Sequence, residues 1–393
     1  MESYASQVVS VPYDTVDRSE AAVLALNNPL SFLHVIRSEI DLSSEIDPYT
    51  EAVYKKAADN LQFLQNRGIL IRETEPCLYL YRLQKGSHSQ QGIVACCHVD
   101  DYEKDIIKKH EKTRNEKETD RTRHIMQLNA HAEPVFLMYR DRPDIDQITQ
   151  NIETEKPLYD LTLSDNVRHT IWKIRKSQRI VQAFQAVQVC YIADGHHRAA
   201  SAVRVANEIR ASQPTRQKEY NWFLSILFPA NQLRILPYNR SIRDLNGKTV
   251  QTYLEAVRSR FNVAANANPS PTQAGHISMY VGKKWYDLCV NFTGSTSDCI
   301  HSLDVDILQN HLLEPVLDIH DPKSDPRIEF IDGNQGPGEL ERRVDSGKAA
   351  VAFSMFPISV NQIMAVADDS QIMPPKSTWF APKPRSGFLI HSF

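Results

Sequence analysis

The apolar, β-branched run Val187-Gln188-Val189-Cys190-Tyr191-Ile192-Ala193 leads directly into Asp194-Gly195-His196-His197-Arg198, then into the Ala-rich stretch Ala199 to Ile209. The run reads as a buried strand and the later stretch as a helix. Joining the two takes a tight polar turn, and Gly195 supplies the backbone freedom. With 13 glycines in 393 residues, one at this junction is not filler. A strand entering a helix this way aims free N–H groups and a positive dipole end at one spot, which suits a phosphate or carboxylate. Asp194, the paired histidines and Arg198 add a base, donors and a fixed cation within one turn. The structural alternative is plainer: Asp194 caps the helix, one His packs and Arg198 makes a surface ion pair.

The chain is 41% hydrophobic and 24% charged, an ordinary globular balance with room for two or three structural units. No apolar run has the length to span a bilayer, so no membrane partner is expected. A formal charge of −3 argues against bulk nucleic-acid binding, which needs a basic face. Met1 to Tyr4 lack a basic segment followed by an apolar one, so no secretory signal is read. Cysteines at 77, 96, 97, 190, 289 and 299 form no C-x-x-C pair and suit neither a disulfide framework nor a zinc cage. Reduced thiols and a cytoplasmic location are the expectation.

Along the chain, helices are expected from near Ser19 and from Pro48 to Arg67, the latter ended by Gly68. Phe32 to Ile36 reads as a strand, and Cys77–Leu83 with Gly92–Val99 as paired strands. Strands are also read at Trp222–Phe228, Leu233–Arg240 and Ala349–Phe353, with a hairpin at Ile277–Val290 turning at Gly282-Lys283. Helices are read at Leu303–Val316, Glu339–Ser346 and Val360–Ala367, while Pro322–Gly338 should be largely loop.

Two further segments carry chemistry. Tyr102 to Leu128 is dense in charge and reads first as a solvated helix, yet His110, Glu111, Thr113 and Arg114 offer a base with hydrogen-bonding neighbours. Arg121 and His124 share a face. Near the end, Pro374-Pro375-Lys376-Ser377-Thr378 sets two hydroxyls beside a cation, braced by prolines. Trp379, Phe380, Phe388, Leu389 and Ile390 predict a docked tail.

On these segments nearly the full length resembles the DUF1015 family. Pro12-Tyr13-Asp14, Asn28 to Val35, Asp120-Arg121-Thr122-Arg123-His124, Asp194 to Arg198, Leu236 to Arg240 and Met373 to Phe380 carry the likeness. More distantly, the chain resembles free serine kinases of the ParB/sulfiredoxin-like superfamily. His110-Glu111, Asp194 to Arg198 and Pro375-Lys376-Ser377-Thr378 occur in the order of those enzymes' three motifs. Two departures stand out. The gap between the first two motifs is longer, and Trp379-Phe380 replaces an Arg that runs on to a His.

The resemblance implies a mixed α/β fold with a ParB/sulfiredoxin-like nucleotide-binding core, carried by residues 1–245, and a C-terminal part, 246–393, that returns the Lys-Ser-Thr segment to the site. It implies phosphoryl transfer from ATP or ADP to free L-serine or a similar hydroxy amino acid. Glu111 would be the base, with His110, Asp194 and His197 catalytic and Asp194 also holding Mg²⁺. Gly195, His196, Arg198, Lys376, Ser377 and Thr378 would bind the nucleotide. Pyrophosphate remains open as a donor. A nucleotide-binding regulator or DNA-partition module is the main rival. A thiol-repair enzyme lacks the Cys such a loop needs, and a metal hydrolase on His110, His124, His196 and His197 lacks ligand spacing.

Overall fold

A computed structural model describes residues 4–213, 218–290 and 299–393. Met1 to Ser3, on which the reading of the N-terminus partly rests, lie outside them. The chain is mixed α/β and divides into two units, residues 1–233 with 382–393, and residues 234–381.

The first unit is organised by an eight-stranded sheet. Its strands are β1 (Leu78–Lys85), β2 (His88–His98), β3 (Ile107–Lys108), β4 (Val135–Tyr139), β5 (Tyr159–Thr162), β6 (Arg168–Ile174), β7 (Cys190–Asp194) and β8 (Trp222–Pro229). Their spatial order is β3-β7-β4-β8-β2-β1-β6-β5. β3 runs parallel to β7 and β4 parallel to β8, and the other pairs are antiparallel. The short parallel pair matters most, because Ile107 opposite Cys190 brings the chain that continues to His110 alongside the strand that ends at Asp194.

Three helices of the first unit are α1 (Glu51–Asn66), α2 (Asn115–Leu128) and α3 (His196–Ser212). The small residues of α3, Ala199, Ala202 and Ala206, are fully buried and let the helix lie close on Leu137, Ile192 and Leu227 of the sheet. Ser201 Oγ donates to the Glu118 carbonyl at 2.9 Å, tying α3 to α2. Tyr13, Phe32, Leu33, Val35 and Ile36 form a second cluster with Ala57, Leu61 and Leu64 of α1 and Leu128 of α2.

The second unit holds a six-stranded antiparallel sheet of β9 (Tyr238–Ile242), β10 (Phe261–Ala265), β11 (His276–Val281), β12 (Lys284–Val290), β13 (Ile328–Asp332) and β14 (Val351–Ser354), in the order β10-β12-β11-β14-β9-β13. The boundary at Leu233/Arg234 differs from the expected 245/246 because β9 pairs with β13 and β14, strands of this second sheet.

Several elements differ from expectation. Leu33–Ile36 is a helical turn, not a strand, since so short an apolar run fits either and here packs against α1. Leu303–Val316 is interrupted by a π-helical turn at Gln309–Leu313, just before Pro315, which cannot donate to the helix ladder. Ile328–Asp332, read within a loop, is β13. No helix among the described residues is long and apolar enough to cross a membrane.

Candidate active site

β7 ends at Asp194, Gly195 turns the chain at φ 96°, and α3 starts at His196. That φ lies where side chains are strained, so glycine is needed for the turn. A second reason is steric. A Cβ on Gly195 would sit 2.9 Å from Nε and 3.0 Å from Cζ of Arg198, whose guanidinium folds back over the turn. Arg198 Nη2 donates to Asp194 Oδ2 at 2.5 Å and Nη1 donates to the Pro134 carbonyl. Arg198 is buried, so its cation braces the turn from within rather than pointing outward as a surface pair. Gly195 is the N-cap, and the first turn of α3 has no side-chain cap.

Across β3, His110 and Glu111 arrive beside this junction. The backbone N–H of His110 donates to His196 Nε2 at 3.4 Å, and the two rings stand edge-to-face with centroids 4.4 Å apart. An accepting Nε2 assigns the ring proton of neutral His196 to Nδ1. Nδ1 lies 3.9 Å from Glu111 Oε2. His197 Nε2 accepts the backbone N–H of Arg114 at 3.0 Å. Burial holds these rings neutral: His110 and His197 are each pushed down to about 4, and His196 well below its ordinary value, with the neighbouring His110 adding to the effect. Glu111 stays half exposed, the one carboxylate of this group open to solvent and beside a ring N–H.

Behind the junction lies a buried charge cluster that residue patterns alone did not assign to the site. Arg121 pairs with Asp120 Oδ2 at 2.9 Å and its guanidinium covers the Tyr13 ring at 4.2 Å. Tyr54 donates to Asp120 Oδ1 at 2.9 Å. Glu133 Oε1 accepts the Tyr13 backbone N–H at 3.1 Å and the Ser386 hydroxyl at 2.8 Å, and burial raises the Glu133 carboxyl toward its neutral form. Asp14 Oδ2 lies 3.7 Å from Arg198 Nη2. A cavity of about 20 Å³ bordered by Arg121, His131, Glu133 and Arg198 has room for a single water, while Glu111 and Asp14 are exposed. A larger surface cleft, about 320 Å³ beside Arg142 and Arg179, is lined by none of these residues.

Lys383 completes the junction. Its Nζ donates to Asp194 Oδ1, so both oxygens of Asp194 carry a cation, Lys383 on one and Arg198 on the other. The two cations hold the Asp194 carboxyl far below the usual carboxylate range despite its burial. This bears on the expected Mg²⁺. A carboxylate already bridging two side-chain cations does not fit a resident metal, and no group of three His, Cys, Asp or Glu among the described residues could hold one. His124 is also engaged elsewhere, with Nε2 donating to the Val35 carbonyl at 3.0 Å. Burial pushes the Cys96 and Cys97 thiols up to about 12, away from the reactive thiolate.

Lys376, Ser377 and Thr378 belong to the second unit. Exposed Lys376 lies over the Tyr238 ring at 5.4 Å, and Ser377 Oγ donates to the Pro374 carbonyl at 2.6 Å. The structure thus gathers His110, Glu111, Asp194, Gly195, His196, His197 and Arg198 in the first unit, with Lys383, Asp14, Tyr13 and Glu133 added. A signal for Lys383 was present: it is flanked by Pro382 and Pro384, which stiffen the chain on both sides.

The family described as Protein of unknown function (DUF1015) matches residues 1–306. The chain belongs to that family. The match takes in Tyr13, His110-Glu111, Glu133 and Asp194 to Arg198, while Lys376 and Lys383 lie beyond it. No curated protein matches this DUF1015 member. Among solved structures, a free serine kinase in complex with AMP is 11% identical, covering 73% of this chain and 87% of its own, at a TM-score of 0.37. SbnI with a C-terminal truncation, from Staphylococcus aureus, is 12% identical over 75% of this chain and 85% of its own, at a TM-score of 0.39. A conserved hypothetical protein from Pyrococcus furiosus is 12% identical over 73% and 90%, at a TM-score of 0.35.

Proposed function

We propose that this protein binds a nucleotide and transfers its terminal phosphoryl group to the hydroxyl of free L-serine, giving O-phospho-L-serine. The observation that carries the reading is the meeting of His110-Glu111 with the Asp194–Arg198 turn, two segments more than 80 residues apart, at the start of an uncapped helix.

In this reading the serine oxygen attacks the terminal phosphorus while the bond from that phosphorus to the leaving nucleotide oxygen breaks. Glu111 takes the hydroxyl proton, and the Nδ1–H of His196 orients its carboxylate. Gly195 and the first amides of α3 receive phosphoryl oxygens, while Arg198 supports them electrostatically from behind the turn. Lys376, Ser377 and Thr378 are the further nucleotide contacts that the motif resemblance implies.

The deciding test incubates the pure chain with Mg²⁺, L-serine and, separately, ATP, ADP and pyrophosphate, and looks for phosphoserine by ³¹P NMR. Phosphoserine from a nucleotide supports the reading. Its absence with every donor sinks it, and nucleotide binding without turnover would make the chain a regulator instead. A duplex-DNA shift assay at physiological salt separates the partition-module alternative.

A further inference from the structure

We propose that Lys383 is the cation that pairs with the oxygens of a bound phosphoryl group at the β7–α3 junction, giving up Asp194 as the anion enters. The proposal deepens the phosphotransfer reading above and rests on it.

The first support is the bridge itself. Asp194 holds Lys383 on Oδ1 and Arg198 on Oδ2, so two cationic donors stand a carboxylate's width apart. That spacing suits the oxygens of a phosphate as well as those of a carboxylate. Arg198 by itself neutralises Asp194 and is anchored again on the Pro134 carbonyl, so the Lys383 charge can pass to a ligand without leaving Asp194 unpaired. Of the other carboxylates that face Arg198, Asp14 is more than a third exposed and so solvated, and burial raises Glu133 toward its neutral form.

An orphaned donor marks the same spot. Arg198 Nε is buried without a hydrogen-bond partner among the described residues, and it faces Gly195 at the start of α3. Buried N–H groups rarely stay unpaired without a functional reason. Together with an uncapped helix N-terminus, it makes the turn a place built for an anion.

Finally, the tail that carries Lys383 is pinned on both sides. Gln90 Nε2 donates to the Pro382 carbonyl at 3.2 Å, and the Arg385 backbone N–H donates to the Tyr81 hydroxyl at 3.2 Å. Arg385 Nη2 pairs with Asp165 at 2.6 Å, and Ser10 and Ser386 exchange backbone hydrogen bonds at 3.0 Å. Gly387 lies so close to Phe32 that a Cβ would come within 2.9 Å of that side chain. A fixed backbone leaves the long Lys383 stem as the moving part.

The test is calorimetric binding of AMP, ADP and inorganic pyrophosphate to the full chain, with thermal melts alongside. Lys383→Met should weaken ADP and pyrophosphate by about 10- to 100-fold, the size of one lost charge-assisted hydrogen bond, and AMP far less. Lys383→Arg should stay within about threefold of wild type. Lys383→Gln keeps a hydrogen bond to Asp194 without the charge, so it serves if the Met variant does not fold, and it should lose affinity like Met. Wild-type affinity for ADP and pyrophosphate in the Met or Gln variant, with only a lower Tm, makes Lys383 a structural pin and overturns the proposal. Pyrophosphate binding that depends on Lys383 in a chain that never phosphorylates serine upholds the proposal while the kinase reading fails. A wild-type chain that binds none of the three overturns it.

Discussion

His196 Nε2 accepts the backbone N–H of His110 at 3.4 Å, which leaves its other ring nitrogen, 3.9 Å from Glu111 Oε2, to carry the proton. The contact spans 86 positions of sequence and sets His196 beside Glu111, the residue proposed above as the base.

Glu111→Gln keeps the size of the side chain and removes the carboxylate proposed as the base. Turnover should fall by roughly 10²- to 10⁴-fold with nucleotide affinity little changed, measured by phosphoserine formation beside calorimetric binding. Because Glu111 is half exposed, the melting temperature should hardly move. Near-normal turnover would remove Glu111 from the mechanism.

Asp194→Asn is not the mild change a helix-capping role predicts. Gly195 is the N-cap, and Asp194 instead joins Arg198 and Lys383. Neutralising it removes the carboxylate that Lys383 and Arg198 share, an expected loss of about 3 kcal/mol in urea unfolding. A variant as stable as wild type would show that the two ion pairs contribute nothing net.

Gly195→Ala meets both a positive φ and the Arg198 guanidinium. It should cost at least about 2 kcal/mol. Because Arg198 is held by Pro134 and Asp194, activity should fall further than stability accounts for. A crystal structure of the variant with Arg198 unmoved would refute the steric argument.

Acid sensitivity follows from the buried neutral histidines. His110 and His197 are pushed down to about 4, and His124, His131 and His169 to about 3. For each, the unfolded chain binds a proton first, so the stabilisation is fully present above about 6.5, the ordinary histidine value, and is lost as pH falls through the folded value. Tm should therefore drop steeply between pH 6.5 and about 4. Fully buried His110 alone contributes on the order of 3 kcal/mol to that slope. His110→Gln should flatten the profile, and an unchanged slope would argue that the ring is already charged.

Lys376→Met should leave the melting temperature almost unchanged, since the exposed ammonium has the Tyr238 face at 5.4 Å and such contacts are worth about 0.5–1 kcal/mol. Weaker nucleotide binding in this variant is the expectation the motif resemblance supports. A variant that melts early yet binds nucleotide normally would make the Lys376 segment a structural clasp.

Local chemistry alone determined much of this protein. The apolar run to Ala193, the small residues from Ala199 and the glycine between them impose a strand, a turn and a helix wherever they fold, and the structure has all three. The spacing of Val53, Ala57, Leu61 and Leu64 likewise dictated α1. Segments whose local pattern fits two answers were left to tertiary contacts. Leu33–Ile36 became helical by packing on α1, and Ile328–Asp332 became a strand only because β9 offered it an edge. The site followed the same division. Asp194 and Arg198 sit four residues apart, within reach of any helix-start reading. That Lys383 would bind Asp194 across 189 residues, and that Ser386 and Tyr13 would share Glu133, depends on where the tail lands on the first unit. No periodicity encodes such pairings, because burial and charge balance act between side chains that only the completed fold brings together.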